Sequence, residues 1–196
     1  MRLRLRVRAG EGRTMAWKNG GGSTTELWVD PPGADLATFD RRLSIATVRE
    51  SGPFSAYPGI DRTIALLEGA GMVLDLGAEG EVRLDRPWNP VAFSGDSPAE
   101  GRLLGGPCRD FNVMTRRGRW RHTVALVEFR ARGGAEDVIS LPAAQPLAVF
   151  VLAGAACIDG IHLATEEMLL LDEAATVSAG REMPGTALLC ASFFPG

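Results

Sequence analysis

Short apolar segments alternate with turn residues along the whole chain. The segments are rich in aliphatic and β-branched side chains, and clusters such as Ser51-Gly52-Pro53 and Pro184-Gly185 lie between them. The apolar segments are 43–48, 63–67, 72–76, 91–93, 111–114, 124–129, 138–141, 147–152, 168–171 and 187–194. Strands of this length and spacing predict an all-β sandwich or barrel. No segment keeps an apolar period of about 3.6 residues over a dozen positions, so we expect any helix to be short, with 35–42 as one candidate.

The first residues alternate arginine with aliphatic side chains. A period of two places Leu3, Leu5 and Val7 on one face of a strand and the arginines on the other. One interpretation is the solvated face of an edge strand, where charge discourages pairing with another chain. The alternative is a ridge that binds anions.

A short internal repeat connects the two halves of the chain. Residues 65–72 resemble residues 149–157, and Leu67 aligns with Leu152, which lies 85 positions later. In each copy a strand ends in Leu-x-Gly-Ala and a second strand follows, which predicts a hairpin at both places. The repeat indicates two barrels of one design in tandem.

Composition excludes several classes of protein. With 45% hydrophobic residues among 196, the chain can bury the core of one large domain or two small ones. The net charge of −3 gives no overall attraction to nucleic acid or anionic membranes. No stretch approaches the roughly 20 apolar residues of a membrane span, and the N-terminus lacks the apolar core of a signal peptide. Three cysteines without metal-ligand spacing are typical of a reducing compartment, so we expect a cytoplasmic protein.

The reactive residues favour neither a metal nor a covalent mechanism. His122 and His162 are the only histidines, whereas an imidazole-held metal needs two or three that converge. We therefore predict no metal and no cofactor. No Gly-x-Ser-x-Gly elbow is present, and we assign no catalytic residue. The basic segment 116–122 fits an exposed hairpin turn better than a nucleic-acid surface, because the chain is acidic overall.

The run 17–26, Trp-Lys-Asn-Gly-Gly-Gly-Ser-Thr-Thr-Glu, concentrates hydrogen-bonding side chains around three glycines. Glycine reaches positive φ and lets other groups approach the main chain. The run is therefore either a turn built for ligand contact or an ordinary hairpin loop. It is not a nucleotide-binding loop, because that loop needs Lys-Ser or Lys-Thr after the last glycine and a helix behind it. A small anion nest of backbone amides stays open.

A second polar segment lies on a predicted strand. Arg42, Ser44 and Ala46 share one face, and the aliphatic residues between them take the other. Arginine binds carboxylates through its bidentate fork, so this face is a candidate floor for a polar pocket. We interpret Asp61-Arg62, by contrast, as a structural ion pair or cap.

These segments resemble the HutD/Ves family of bacterial bicupins. Their order and spacing match from about residue 15 to residue 117, and the Trp-Lys-Asn-Gly-Gly-Gly signature at 17–22 is quite specific. The other matching residues are Thr24, Glu26, Arg42, Ser44, Ala46, Val48, Ser51, Gly52, Pro53, Phe54, Ser55, Pro58, Gly59, Asp61, Arg62, Phe93, Gly95, Asp96, Asp110, Phe111, Asn112, Met114 and Arg116. The second half matches only in its β pattern and in the internal repeat.

The resemblance implies a bicupin: two cupin-like, jelly-roll β-barrels in one chain, without the usual metal histidines of cupins. We place the N-terminal barrel, with the proposed pocket, at 1–120 and the C-terminal barrel at 121–196, with exchange of strands between the halves left open. The resemblance also implies small-molecule binding or regulation in histidine utilisation, or stress-induced expression in the Ves branch. A formylated or formiminated glutamate from histidine breakdown fits this role.

Our leading hypothesis is a non-enzymatic bicupin that binds a small acidic metabolite and regulates histidine utilisation. Arg42 and Lys18 are expected to contact carboxylates, with more weight on Arg42 because guanidinium is less strongly hydrated than ammonium. The remaining predicted ligand-binding residues are Trp17, Asn19, Glu26, Ser44, Asp110 and Asn112.

Two other classes of function stay open. One is a metal-independent isomerase or hydrolase that acts on a similar metabolite, with Glu26, Asp96 or Asp110 as acid or base. The other is an interaction module that pairs through the arginine-rich first strand. We expect a homodimer under every interpretation, and neither nucleic acid nor membrane as a partner.

Overall fold

The fold is almost entirely β-strand, in a computed structural model that describes residues 2–129, 137–141, 146–179 and 185–196. A single 3₁₀ turn, Gly77–Glu79, accompanies the strands in these ranges. The strands are β1 Leu3–Val7, β2 Arg13–Ala16, β3 Gly22–Asp30, β4 Arg41–Val48, β5 Gly52–Phe54, β6 Ile60–Glu68, β7 Met72–Asp75, β8 Glu81–Leu84, β9 Pro90–Ser94, β10 Ala99–Leu103, β11 Cys108–Arg116, β12 Trp120–Glu128, β13 Asp137–Leu141, β14 Leu147–Ala153, β15 Ala155–Ile158, β16 Ile161–Ala164, β17 Met168–Leu171, β18 Ala175–Ala179 and β19 Ala187–Pro195. Every apolar segment of the sequence lies in or overlaps a strand, which confirms the predicted all-β class.

The short helix predicted at 35–42 is wrong. The Asp35 carboxylate accepts hydrogen bonds from the backbone N–H groups of Ala37 and Thr38, each at 3.0 Å, and from the Thr38 hydroxyl at 2.7 Å. These bonds hold a local turn that competes with a helix. Strand β4 then begins at Arg41, because its residues pair with β3 on one side and β11 on the other.

The chain forms two compact units. The N-barrel comprises Gly12–Arg121 with Pro195–Gly196, and the C-barrel comprises Met1–Glu11 with His122–Phe194. The N-barrel consists of a six-stranded sheet in the order β2-β3-β4-β11-β6-β9 and a four-stranded sheet in the order β5-β10-β7-β8. The C-barrel consists of a five-stranded sheet, β1-β17-β14-β19-β12, and a four-stranded sheet, β13-β18-β15-β16.

The arginine-rich strand β1 lies at an edge of the C-barrel sheet, beside β17. Its arginines pair with acidic side chains of that unit: Arg4 with Asp172 at 3.2 Å and Arg6 with Glu167 at 2.9 Å. The register shifts between Leu3 and Leu5, and Leu3 is 44% exposed. The strict alternation of the sequence is therefore broken at its start.

The two barrels repeat one topology. The strands β4-β11-β6-β9 and β5-β10-β7-β8 of the N-barrel correspond in order to β12-β19-β14-β17 and β13-β18-β15-β16 of the C-barrel. The aligned segments around Leu67 and Leu152 end β6 and β14, which are equivalent strands. The predicted hairpins are wrong, however, because β7 and β15 belong to the other sheet of each barrel.

A glycine explains why the repeat is visible at this point of the sequence. Gly69 and Gly154 both have positive φ, at 90° and 73°. A Cβ on Gly69 would lie 2.5 Å from the Pro107 carbonyl oxygen, and one on Gly154 would lie 2.6 Å from the Thr186 hydroxyl. Pro107 and Thr186 each directly precede the equivalent strands β11 and β19. The passage from one sheet to the other therefore requires glycine in both barrels.

Replacing Gly71 by alanine is expected to destabilise the N-barrel far more than replacing Gly77. Both glycines have positive φ, but a Cβ on Gly71 would lie 1.8 Å from the Leu84 carbonyl oxygen, whereas nothing lies within 4 Å of one on Gly77. We expect Gly77→Ala to cost about 1 kcal/mol from backbone strain alone and Gly71→Ala about 3 kcal/mol or more. Urea unfolding followed by circular dichroism measures both, and equal losses would contradict the contact.

Candidate functional site

A group of polar side chains lies inside the N-barrel, on the inner face of its six-stranded sheet. Cross-strand pairing places Glu26 of β3 opposite Ser44 of β4, and Ser44 opposite Asn112 of β11. Alternation along the strands brings further polar residues to the same face. The interior polar cluster consists of Glu26, Arg42, Ser44, Arg62, Asp110 and Asn112; all but Glu26 are buried, and the Glu26 side chain is 14% exposed. Apolar residues lie along the barrel on both sides of the cluster.

Arg42 and Glu26 form a buried ion pair within the interior polar cluster. Arg42 Nε donates to Glu26 Oε2 at 2.8 Å, and Arg42 Nη1 lies 3.4 Å from the Ser44 hydroxyl and 3.9 Å from Met114 Sδ. The positive charge of Arg42 is therefore matched by a carboxylate of the protein itself.

Arg62, Asn112 and Asp110 form a second chain of hydrogen bonds. Arg62 Nη2 donates to Asn112 Oδ1 at 2.7 Å, and Asn112 Nδ2 donates to Asp110 Oδ1. Arg62 Nε and Asp110 Oδ2 are buried and have no hydrogen-bond partner in the described residues. A buried polar atom without a hydrogen bond normally destabilises the folded state by about 1–3 kcal/mol. A bound molecule can supply the hydrogen-bond partner that each of these two atoms lacks.

Aromatic rings flank the Arg62 guanidinium. Its carbon lies 4.9 Å from the centre of the Phe93 ring and 5.3 Å from that of Tyr57. Both rings are partly exposed, whereas Arg62 itself is buried. Ring faces hold a guanidinium in place without removing its hydrogen-bond donors.

Burial shifts the pKa values of the groups in and beside this hydrogen-bonded series. It raises the pKa of Asp110 to about 7, against the opposing influence of the Arg62 guanidinium and the Asn112 hydrogen bond. It also lowers the pKa of Arg62. The pKa of the Cys108 thiol is raised to about 11, by burial and then by Asp110. Asp110 is therefore a carboxyl group that changes charge near neutral pH, because desolvation disfavours its ionised form.

The C-barrel provides an internal comparison for these positions. Asp110 pairs with Leu66 and Asn112 with Ile64 in the N-barrel; at the equivalent places Leu188 pairs with Val151 and Cys190 with Val149. The strand position of Arg62 corresponds in the same way to Leu147. These C-barrel residues lie in one apolar core cluster. The topology therefore folds with an apolar interior at the same positions, and the polar chain is a special feature of the N-barrel.

The glycine run forms the turn between β2 and β3. Trp17 N–H donates to the Gly22 carbonyl oxygen at 3.0 Å, and Asn19 Oδ1 accepts from Gly21 N–H at 3.1 Å. A Cβ on Gly22 would lie 2.4 Å from the Thr47 carbonyl oxygen and 2.9 Å from the Trp17 ring. Close packing of the ring and a neighbouring strand thus explains the glycine at position 22.

The eight residues predicted to bind one ligand do not all lie together. Glu26, Arg42, Ser44, Asp110 and Asn112 lie together in the interior polar cluster. The other three are Trp17, Lys18 and Asn19: Lys18 is exposed, while Trp17 and Asn19 line a separate cavity of about 200 Å³ with Glu50, Pro53 and Phe54. The Trp17 ring meets Phe54 edge to face at 5.5 Å and donates to the Thr24 hydroxyl at 2.8 Å.

Sequence reasoning missed Arg62. The interpretation of Asp61-Arg62 as an ion pair or cap is wrong, because neighbouring residues of β6 point to opposite faces of the sheet. Asp61 instead accepts from Arg117 at 2.7 Å, and Arg62 enters the barrel. The signal was present: Arg62 has the same phase along β6 as Ile60, Ile64 and Leu66, which are buried.

The loop that carries Tyr57 is fixed by the Gly95-Asp96 turn. Tyr57 N–H donates to the Gly95 carbonyl oxygen at 2.6 Å, and Gly59 N–H donates to Asp96 Oδ1 at 2.6 Å. Arg117 donates to the other Asp96 oxygen at 2.7 Å. A Cβ on Gly95 would lie 2.7 Å from the Ile60 carbonyl oxygen. Asp96, one of the predicted acid–base candidates, thus lies in an exposed network that positions the ring beside Arg62.

Asp96→Asn is expected to lower the melting temperature at pH 7, and the difference is expected to vanish in acid. Hydrogen bonds from Gly59, Arg117 and Ser94 lower the pKa of Asp96 to about 2. Because the pKa is depressed in the folded state, the contribution to stability is present above about pH 4 and is lost as the pH falls toward 2. Thermal melts of both proteins from pH 7 to pH 2 measure this. A constant difference over that range would contradict the assignment.

Two features are absent from the described ranges. They contain no group of three or more histidine, cysteine, aspartate and glutamate side chains arranged to hold a metal ion. No helix in these ranges is long and apolar enough to cross a membrane.

Two known proteins are similar to part of this chain. A Pseudomonas putida protein described as an uncharacterised 21.2 kDa protein in the hutC 3′ region is 44% identical over 115 residues, 59% of this chain and 60% of that protein. Protein Ves of Citrobacter koseri is 37% identical over 130 residues, 63% of this chain and 66% of that protein. The chain thus spans slightly less than two thirds of these two relatives.

Solved structures match over nearly the whole chain. A conserved protein of unknown function from Pseudomonas aeruginosa PAO1 superposes with a TM-score of 0.84 at 32% identity, covering 98% of this chain and 99% of that one. HutD from Pseudomonas fluorescens SBW25 superposes with a TM-score of 0.80 at 33% identity, covering 98% of both chains. An oxalate decarboxylase from Lactobacillus farciminis, at 9% identity and a TM-score of 0.67, shares the fold. The model of the HutD family matches residues 9–189, and the chain belongs to that family, with a cupin-like fold.

Proposed function

We propose that the interior of the N-barrel binds a small acidic metabolite, with Arg62 as the main contact for its carboxylate. The observation that carries this proposal is that two buried atoms of one hydrogen-bonded series, Arg62 Nε and Asp110 Oδ2, have no partner among the described residues. The apolar residues at the equivalent C-barrel positions support the proposal, because they indicate that the fold does not need the hydrogen-bonded series of Arg62, Asn112 and Asp110.

Charge matching within the cluster favours an anion. Glu26 Oε2 lies 2.8 Å from Arg42 Nε and neutralises the charge of Arg42. We therefore propose Arg62, rather than Arg42 as expected from the sequence, as the residue that contacts the ligand carboxylate. Among the described residues, Asp110 is the carboxyl group whose charge acts on Arg62, beside the phenol of Tyr57, and Asp110 is uncharged for part of the time near pH 7. A ligand carboxylate supplies the missing acceptor for Arg62 Nε–H.

The ligand that we propose is a formylated glutamate from histidine breakdown, and binding is proposed to regulate histidine utilisation without catalysis. A formyl oxygen and two carboxylates provide acceptors for the Arg62 donors and for the amide of Asn112. Ser44 and Arg42 complete the polar wall. Trp17, Lys18 and Asn19 are not part of this contact set, because Trp17 and Asn19 line the separate cavity and Lys18 lies on the surface.

Calorimetric titration tests the proposal. N-formylglutamate, glutamate and urocanate are titrated into the protein at millimolar concentration and pH 6.5, and we expect heat of binding with formylglutamate. The absence of heat with all three ligands would refute the proposed function.

One observation favours a second candidate function, a metal-independent enzyme acting on a similar metabolite. A buried carboxyl group whose pKa is about 7 is suited to general acid–base catalysis at neutral pH. Incubation of the protein with formylglutamate overnight, followed by NMR, detects any product. A product peak that is lost in Asp110→Asn and retained in Asp85→Asn, an exposed carboxylate of the same barrel, would establish catalysis; no product leaves the binding role.

A further inference from the structure

We propose that Asp110 determines specificity by binding the ligand in its protonated form, so that the N-barrel takes up one proton with each ligand anion. This inference rests on the proposed function and deepens it. It assigns Asp110 Oδ2 as a hydrogen-bond donor to a ligand oxygen, rather than as a negative charge for a ligand cation.

The hydrogen-bond pattern leaves one oxygen of Asp110 for the ligand. Oδ1 already accepts from Asn112 Nδ2, and Asn112 Oδ1 in turn accepts from Arg62. This orientation of the amide fixes Oδ1 as an acceptor, so a proton on the carboxyl group belongs on Oδ2. Oδ2 is buried and has no hydrogen-bond partner in the part of the chain that the structure describes, and a ligand oxygen there would receive the O–H.

The surroundings of Asp110 disfavour a second negative charge. Ala46 of β4 and Leu66 of β6 flank it across the sheet. The facing four-stranded sheet contributes apolar side chains to the same hydrophobic core cluster as Ala46 and Leu66, among them Met72, Leu74 and Leu84. Arg62 is the cation that acts on it. Of the other titratable groups near it, Arg42 is hydrogen-bonded to Glu26, and Tyr57 lies beside Arg62, with its ring centre 5.3 Å from the guanidinium carbon. Cys108 stays a neutral thiol because burial raises its pKa to about 11.

A ligand anion at Arg62 then changes the balance. In the free protein the Arg62 charge partly stabilises ionised Asp110, against the cost of burial. A ligand carboxylate at Arg62 Nε–H neutralises that charge and adds a like charge nearby, and both effects favour the protonated form of Asp110. The site therefore selects an acid with a second oxygen acceptor. It disfavours a free α-ammonium group, which would meet arginines and a neutral carboxyl group.

Titration calorimetry in buffers of different ionisation enthalpy measures the proton uptake directly. With N-formylglutamate as the probe, we expect uptake of about 0.9 proton at pH 8, where free Asp110 is mostly ionised, and about 0.1 at pH 6, where it is mostly protonated. The dissociation constant is expected to rise about tenfold per pH unit above pH 7. Glutamate is expected to bind more weakly than formylglutamate.

Two variants assign the proton. Asp110→Asn is expected to bring the uptake at pH 8 close to zero, because an amide does not titrate. Asp85→Asn, which removes an exposed carboxylate bonded to Arg83, is expected to keep the wild-type uptake.

The outcomes are distinct. Binding of formylglutamate with no proton uptake at pH 8 would overturn the inference and leave the proposed function standing, and uptake that persists in Asp110→Asn would overturn the assignment to Asp110. No binding heat at any pH would overturn the proposed function and the inference with it. Should Asp110→Asn not fold, the pH series of the wild type decides, since a flat dissociation constant between pH 6 and pH 8.5 contradicts the proposal.

Discussion

Arg62→Met is expected to weaken the binding of formylglutamate at least about 30-fold. The substitution removes the buried cation that the proposal places against the ligand carboxylate, and truncating one partner of a buried charge pair costs about 2–5 kcal/mol. Methionine preserves much of the length of the side chain between the Tyr57 and Phe93 rings, so that the loss reports on charge and hydrogen bonding. Titration calorimetry at pH 6.5 gives the dissociation constants.

Two further variants sharpen this experiment. Arg62→Lys keeps a positive charge but loses the planar fork that matches a carboxylate, and we expect a loss of about tenfold. Arg109→Met removes a cation that pairs with Glu68 outside the interior polar cluster, on the same strand as Asp110, and we expect unchanged affinity. Equal effects of Arg62→Met and Arg109→Met would show that Arg62 acts only through the overall charge, and would contradict a specific contact.

The strands could be predicted from the sequence because their signals are local. Turn residues such as glycine, proline and serine lie between nearly all of the apolar segments, and a period of two over a few residues is sufficient to indicate a strand. The helix predicted at 35–42 failed because an Asp35 side chain that bonds to the backbone of Ala37 and Thr38 makes a turn out of the same residues. Passage between sheets also escaped prediction, since Leu-x-Gly-Ala reads equally well as a hairpin and as a change of sheet.

Site residues could be predicted where the alternation along one strand places them together, but not where the placement depends on the register between two strands. Ser44 and Arg42 could be placed together from alternation on β4 alone. The pairing of Arg42 with Glu26 depends on the register of β3 against β4, which shifts between Glu26 and Trp28, and no local pattern fixes such a register. Trp17 was grouped with Arg42 because both lie in polar sequence segments. The direction of the glycine turn, set by long-range contacts such as Gly22 against Thr47, leads Trp17 to a different cavity.

The internal repeat separates what the fold requires from what the function requires. Glycine recurs at the sheet-to-sheet passage of both barrels, at Gly69 and Gly154, because the backbone has no room for a side chain there. Asp110 and Asn112 have no polar counterpart at the equivalent positions Leu188 and Cys190. Residues shared by the barrels are therefore structural, and polar residues confined to one barrel are candidates for function.

Replacing Arg62, Asp110 and Asn112 by their C-barrel counterparts is expected to stabilise the protein and abolish binding. The triple variant Arg62→Leu, Asp110→Leu and Asn112→Cys removes the two unpaired buried atoms and the charges that carry them. Replacing buried ionic groups by packed apolar residues often stabilises a protein, by about 1–4 kcal/mol. The Arg42–Glu26 pair stays intact, so that no new charge is left alone.

The control is Arg62→Leu alone, which leaves Asn112 Oδ1 without its donor and Asp110 without the nearby positive charge. This variant is expected to be less stable than the triple variant, since breaking a buried network costs more than removing it. Scanning calorimetry and urea unfolding at pH 7 compare the two with the wild type, and titration with formylglutamate follows binding. A triple variant less stable than the wild type would mean that the polar chain supports the N-barrel structurally. A triple variant that is more stable but does not bind would show that the N-barrel keeps these three polar residues for its ligand, at a cost in stability. The C-barrel does not bear that cost. Function and stability then require different residues at the same positions of one fold.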